Sequence, residues 1–269
     1  MRWNRAARPE RGAATAVVAA PAAVPALPFE DALFEAHFKA LLDAAAPRGG
    51  VERWLDALGE KSRRLALAVR ERRYPDVFPL VFSARRRLGA FAHDPALEAA
   101  LDALAAAGHE PPESRIAQFV ERMPVPAGES LAVRREAAKR RRAAHDLAAE
   151  VLRFGLPGGL PLMTRWVWDP ATASGALREF VRGADTVQDL PLAADAATFT
   201  AARDWIAARV SDRGIYRDVH AWADLVLASA YGQYFRAMTG GVLGADFQRA
   251  ADPADAVTGL LGIDRLPGS

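Results

Sequence analysis

Residues 94–108, with the sequence DPALEAALDALAAAG, carry the clearest helical pattern in the chain. Asp94 is suited to cap the first turn, Pro95 takes the first helical position where proline is tolerated, and Gly108 closes the helix. Three leucines recur at helical spacing and share one face: Leu97, Leu101 and Leu104. The stretch therefore predicts an amphipathic helix, and the same helical spacing can be sought in the segments on either side.

Apolar residues repeat at helical spacing in most of the remaining chain. Helices are expected near 31–45, 51–73, 76–91, 116–123, 129–154, 198–210 and 215–238, with a short one after Pro253. We expect Gly59 to interrupt the second of them. The predicted fold class is mainly α, an irregular multi-helix bundle of about eight helices with one β-hairpin.

The hairpin is predicted near 163–181, where the sequence MTRWVW alternates side chains as a strand does. The turn chemistry of DPATASG follows, and ALREFV is then available as the partner strand. A helix that starts at Ser174 is the competing interpretation. The two tryptophans are packing residues in one view. In the other they form a ligand-binding surface with nearby arginines, and that set is Arg165, Trp166, Trp168, Arg178 and Arg182.

Composition limits the class of protein. Of 269 residues 51% are hydrophobic, the formal net charge is +2, and there is no cysteine. The chain therefore has no disulfide, thiolate metal site or cysteine nucleophile, in keeping with a reducing cytoplasm. No apolar run approaches the roughly 20 residues that span a bilayer. Residues 1–28 imitate a signal peptide, but Pro21 and Pro25 break the apolar part, so we expect a flexible Ala/Pro-rich tail and keep export as a minority alternative.

The tail leaves two predicted units. Residues 29–123 form an N-terminal helical subdomain and residues 129–269 a C-terminal one with the hairpin, joined at MPVPAGES. A single domain is the alternative.

A basic stretch opens the long helix predicted at 129–154. It holds six cations within nine positions, which are Arg134, Arg135, Lys139, Arg140, Arg141 and Arg142. At about 100° per residue they point nearly all around the axis. We therefore expect this half of the helix to project, or to meet a negatively charged partner. Arg85–Arg87 and the KSRR stretch at Lys61 are candidates to extend such a surface. The competing interpretation is a solvated helix with 136–140 and 142–146 ion pairs.

The predicted helix 215–238 carries a second candidate site. Tyr216, His220 and Asp224 recur one turn apart, and a histidine next to a carboxylate can position a general base. They are candidate catalytic residues, and a buried polar network is the alternative. His145–Asp146 resembles the dipeptide of HD-class metal phosphohydrolases, which also use an earlier histidine and a later aspartate. The arginines before it differ from the apolar helix of such sites, so we assign no family and expect no metal.

The sequence favours a soluble, cytoplasmic, non-catalytic binding or accessory protein. It would engage an acidic protein or nucleic acid through the Arg-rich helix. The alternative is an enzyme or small-ligand-binding protein with a pocket between helix 215–238 and the hairpin 163–181. No motif identifies a cofactor, a substrate or an oligomeric state.

Overall fold

The structure is a computed structural model that describes residues 26–106, 108, 110–124, 126, 128–183, 190–240 and 252–266. The described part is mainly helical, as the sequence predicts. Its α-helices are α1 (Asp31–Ala45), α2 (Val51–Arg70), α3 (Phe82–Arg87), α4 (Pro95–Ala106), α5 (Pro112–Glu121), α6 (Leu131–Glu150), α7 (Ala196–Ser211), α8 (Val219–Gly240) and α9 (Pro253–Leu260). Most of the predicted tail lies outside the described residues.

Aspartates begin several of these helices by accepting hydrogen bonds from backbone N–H groups of the first turn. Asp94 accepts from the N–H of Ala96 at 2.8 Å, and Asp195 accepts from the N–H of Thr198 at 2.8 Å. A helix end leaves such donors without intrahelical partners, so an Asp cap stabilises the start by about 1 kcal/mol. Local sequence therefore accounts for where α4 and α7 begin.

Two predicted helices differ from the structure. Helix α2 runs without a break through Gly59, because a single glycine costs only about 1 kcal/mol in a helix whose apolar face is buried. The predicted helix 76–91 is divided into 3₁₀ turns at Tyr74–Asp76 and Phe78–Leu80, followed by the short helix α3. Pro75 and Pro79 each sit at the start of a turn and prevent a continuous helix.

The predicted hairpin is not formed, and residues 163–183 contain no strand. The N–H groups of Val167 and Trp168 both bond the carbonyl of Thr164, so the tryptophan segment turns instead of extending. One antiparallel bridge joins Asp169 to Ser174, and a 3₁₀ turn, Ala176–Phe180, follows it. Alternation was not a reliable strand signal here: Met163, Thr164, Trp166, Val167 and Trp168 are all buried, so the segment lacks the one buried and one solvated face that alternation indicates.

Helix α8 lies at the centre of the molecule and packs against α1, α7, α9 and the Ala176–Phe180 turn. Its middle section is buried on all sides, which explains why apolar residues cover its whole circumference. Helix α6 packs on α3 and α5, and then continues into a π-helical turn, Val151–Gly155, that packs on α2. The two ends of α6 therefore face different surroundings: its second half reaches the core, and its first half lies nearer solvent.

Candidate functional site

Small residues place α6 on the body of the protein. Ser130 caps the helix by accepting a hydrogen bond from the N–H of Val133 at 3.3 Å. Ala137, Ala143 and Ala144 are buried against the neighbouring helices. Alanine lets helices approach closely, so a narrow alanine stripe is enough to hold α6. Ala137 is the one buried residue of the first half, so this half lies along the surface of the body while the second half enters the core.

The six basic residues of α6 divide into two groups. Five are exposed and fall within an arc of about 160° on a helical wheel. They form what we term the cationic face, which consists of Arg134, Arg135, Lys139, Arg141 and Arg142. Arg140 is the exception: it is half-buried, its guanidinium covers the ring of Phe91 at 4.4 Å, and its Nε donates to Glu136 at 3.2 Å. The charge is thus concentrated on one side of the helix.

The cationic face has no ion-pair partner among the residues that the structure describes. The expected 142–146 pair is not present, because Asp146 accepts instead the backbone N–H of Arg165 at 2.9 Å. Many other cations of the chain are paired, as in Lys39–Asp43, Arg48–Asp252 and Arg209–Asp31. Five neighbouring positive charges that meet no carboxylate are therefore unusual in this protein.

The other basic stretches contribute less than the sequence suggests. Arg85 pairs with Asp264 at 3.0 Å, whereas Arg86 and Arg87 are exposed on α3, the helix that packs against α6. Lys61 is fully buried and belongs to no surface. Arg63 and Arg64 of the same stretch are exposed, but both pair with Glu60. Among these two stretches, Arg86 and Arg87 are therefore the exposed cations without a carboxylate partner in the described residues.

The candidate catalytic residues of α8 do not form one site. Asp224 is fully buried and accepts two hydrogen bonds from Arg153, at 3.0 Å from Nε and 2.7 Å from Nη2. His220 is half-exposed, with its Nε2 3.6 Å from Asp204, and burial with the nearby Arg203 guanidinium lowers its pKa. Tyr216 precedes α8 and is 76% exposed. The helix starts at Val219, three residues past Tyr216, so Tyr216 does not share a helical face with His220 and Asp224 as predicted.

The predicted ligand-binding residues of 163–181 are mostly engaged inside the protein. Trp166 is buried against Tyr231, with ring centroids 6.0 Å apart, and Trp168 donates from its indole N–H to the carbonyl of Leu192 at 3.1 Å. The two indoles are packing residues and do not form an exposed aromatic surface.

The three arginines of that set have separate partners. Arg165 pairs with Asp169, Arg178 donates to the carbonyl of Ala173 at 3.0 Å, and Arg182 pairs with Glu30 at 2.8 Å. The structure therefore does not gather them around one ligand position.

Two openings involve the remaining candidates. One, of about 620 Å³, lies between the 172–179 loop and the last turns of α8, and is lined by Thr172, Ala173, Arg178, Glu179, Tyr234, Ala237 and Met238. Another, of about 280 Å³, places His145 with Arg165 and Trp168. Within the described ranges no three histidine, aspartate or glutamate side chains are grouped to hold a metal ion. His109, a candidate for the earlier histidine of an HD-class pattern, lies outside those ranges.

Sequence reasoning missed the most deeply buried ion pair of the described residues. Lys61 Nζ donates to the carboxylate of Glu150 and to the carbonyl of Leu261, and Phe154 lies 4.7 Å from the ammonium group. Burial raises the pKa of Glu150 above its usual value, and the Lys61 charge opposes that rise. A signal for Glu150 existed, because it interrupts the apolar stretch from Leu147 to Leu152.

No protein-family model, curated protein or solved structure matches the chain. In the part of the chain that the structure describes, none of the helices combines the length and the apolar character needed to cross a membrane.

Proposed function

We propose that this chain is a non-catalytic accessory protein that engages a polyanionic partner through the cationic face of α6. The single observation that supports it is the exposure of five neighbouring cations with no acidic partner in the described residues. Unpaired like charges repel one another, and the negative charges of a bound polyanion relieve that repulsion. Binding also releases counterions from the polyanion, which favours association. The near-neutral total charge of +2 means that attraction depends on this local face.

The architecture supports a binding surface of fixed shape. The alanine stripe of α6 packs on α3 and α5, so the backbone that carries the cations is held before any partner arrives. Preorganisation reduces the entropy lost on association. The cationic face of α6 is therefore expected to keep its geometry when a partner binds.

A charge-matched pair of variants tests this function. The first replaces all five residues of the cationic face by glutamine. The control replaces five other exposed cations that have carboxylate partners, namely Lys39, Arg63, Arg64, Arg70 and Arg182. Both lose the same net charge. On immobilised heparin the first variant is expected to elute at much lower salt than wild type, and the control close to wild type. Equal elution of the two variants would refute the proposal.

A small-ligand function is the second candidate, supported by the opening between the 172–179 loop and α8. It joins the two segments that the sequence placed around a pocket, although His220, Asp224 and Tyr216 do not line it. Arg178 and Tyr234 would face a planar anion there. Fluorescence of a naphthalene sulfonate probe is expected to rise with wild type and with the exposed control Tyr216→Ala, and to fall with Tyr234→Ala. Equal signals from the two variants would exclude this site.

A further inference from the structure

We infer that the polyanion bound by the cationic face is double-stranded DNA, held through its phosphates without reading of the base sequence. This inference rests on the proposed function and specifies its partner. Three properties of the surface favour duplex DNA over the other polyanions: its lack of apolar anchors, its lack of exposed aromatic rings, and the spacing of its charges.

The cationic face lacks what a protein partner requires. Specific protein interfaces have a buried apolar core with aromatic or aliphatic anchors. Of the large apolar side chains exposed in the described residues, Leu131 is the one on α6, and it lies at the start of the helix before the cations. The exposed positions from Arg134 to Arg142 are basic. Interfaces with DNA are more polar and far more positive than interfaces with protein, which matches this surface.

The surface also lacks what a single strand requires. Binding of single-stranded nucleic acid combines a positive groove with exposed aromatic rings on which unpaired bases stack. Two rings lie on or just after α3, the helix that packs against α6: Phe82 and Phe91. Both are half-buried, and the guanidiniums of Arg86 and Arg140 lie over them at 5.4 and 4.4 Å. With its paired bases stacked inside, a duplex requires no such platform.

The length of the cationic face can be compared with the spacing of phosphates along a DNA duplex. From Arg134 to Arg142 the helix rises about 12 Å, and duplex DNA presents one negative charge per about 1.7 Å of its axis. Roughly seven phosphate charges therefore lie along the cationic face. On the helical wheel its residues form two rows, with Arg135, Lys139 and Arg142 in one and Arg134 and Arg141 in the other.

Two rows of cations suit the two backbones that flank a groove. The rows are separated by about 100° around the axis, and the major groove, about 12 Å wide, admits an α-helix. Arg86 and Arg87 on the adjoining α3 supply further positive charge at the side. The stretch RREAAKRRR has no asparagine or glutamine to pair with adenine. Arginine is able to bond guanine as well, so independence of base sequence follows from the placement of the two rows on the backbones, where the guanidinium groups contact phosphates.

Fluorescence anisotropy with labelled nucleic acids tests the inference. The probes are two short DNA duplexes of unrelated sequence, one single strand, one RNA duplex and polyglutamate. We expect equal affinity for the two DNA duplexes and weaker binding of the others. The logarithm of the association constant should fall with the logarithm of salt concentration at a slope near −4.5 for five contacts. Arg135→Gln should reduce that slope by about 1, and the control Arg63→Gln should leave it unchanged.

The outcomes separate the partner from the function. Cationic-face-dependent binding of polyglutamate, RNA duplex or single strand that equals or exceeds binding of DNA duplex overturns the DNA assignment and leaves the proposed function in place. Binding to none of these probes overturns both. A clear preference for one DNA duplex, or a slope unaffected by Arg135→Gln, overturns phosphate-based binding by α6.

Discussion

The ammonium group of Lys61 contacts the carboxylate of Glu150 in the interior, where the two side chains are 0% and 3% exposed. Lys61 belongs to α2 and Glu150 is the last residue of α6. The same ammonium group donates to the carbonyl of Leu261 at the end of α9. One lysine thus links three parts of the chain that lie far apart in sequence, and its removal leaves a carboxylate without a cation in a site closed to water.

Replacement of Lys61 by methionine is expected to lower the free energy of unfolding by about 3–5 kcal/mol, because a buried charge loses its partner. Urea denaturation followed by circular dichroism measures the loss. Lys39→Met is the matched control, since the Lys39–Asp43 pair is exposed, 76% for the lysine side chain, and should cost under about 1 kcal/mol. Similar losses in the two variants would contradict the assigned role of Lys61.

The double variant Lys61→Met with Glu150→Leu completes this test. Apolar replacement of a whole buried ion pair is often neutral or stabilising. We therefore expect the double variant to be more stable than Lys61→Met alone. If it is less stable, the loss in the single variant comes from packing and not from the unpaired carboxylate.

Arg153 and Asp224 form a second internal ion pair, and the two side chains are buried to different extents. Substitution of each is therefore expected to lower the free energy of unfolding by a different amount. The carboxylate is 1% exposed, whereas the Arg153 side chain is 11% exposed and borders a cleft of about 350 Å³. Arg153→Met leaves the carboxylate buried alone and is expected to cost about 3–5 kcal/mol. Asp224→Asn leaves a guanidinium that can reach water, with a cost of about 1–3 kcal/mol.

Chemical denaturation of both variants gives the comparison, and Arg209→Met serves as control for a pair whose carboxylate partner, Asp31, is largely exposed. The order of the two losses is the decisive result. A larger loss for Asp224→Asn than for Arg153→Met would show that burial of the carboxylate does not govern this pair.

These internal pairs show where sequence information ends. Caps and helical periodicity act between residues three or four positions apart, so the start of α4 and the amphipathic faces of most helices could be predicted, whereas α7 begins at Ala196, two residues before the expected start. Lys61 and Glu150 are 89 positions apart. Their pairing depends on how α2 meets α6, which no local pattern encodes. The cationic face could be predicted as a cluster, but the departure of Arg140 from it depends on the contact with Phe91, which comes from tertiary packing.

Replacement of glycine by alanine is expected to change stability in opposite directions at Gly59 and at Gly175. A Cβ at Gly59 in the middle of α2 would meet no atom within 4 Å. Gly59→Ala is therefore expected to stabilise the protein by about 0.5–1 kcal/mol, since alanine loses less backbone entropy than glycine in a helix. Gly175 has φ +129°, and a Cβ there would lie 2.6 Å from the carbonyl oxygen of Val167, so Gly175→Ala is expected to destabilise.

Thermal unfolding of the two variants measures both signs. The result also tests the account of the 163–181 segment, in which Gly175 lets the chain return so closely that the N–H of Ala176 bonds the carbonyl of Trp166 at 2.9 Å. That close return replaces the predicted hairpin. A neutral Gly175→Ala would be inconsistent with this loop geometry, and a destabilising Gly59→Ala would be inconsistent with an uninterrupted α2.

His37 predicts a loss of stability in mild acid. It lies on α1, its Nε2 is 3.2 Å from the carbonyl oxygen of Glu179, and its ring packs edge-on against Phe180. Burial lowers its pKa below the usual value, although the hydrogen bond to Glu179 opposes the shift. The unfolded chain therefore takes up this proton at higher pH than the folded protein does. Stability from His37 is present above the unfolded pKa, about 6.5, and declines as pH falls toward the folded pKa.

Urea denaturation between about pH 7 and about pH 5 is expected to show a smaller loss of stability in His37→Gln than in wild type. His93 is exposed, so His93→Gln is the control and should retain the wild-type loss. Because glutamine does not titrate, the difference between the two variants isolates the proton of His37. If His37→Gln loses as much stability on acidification as wild type, protonation of the buried His37 ring does not contribute to the loss of stability in acid.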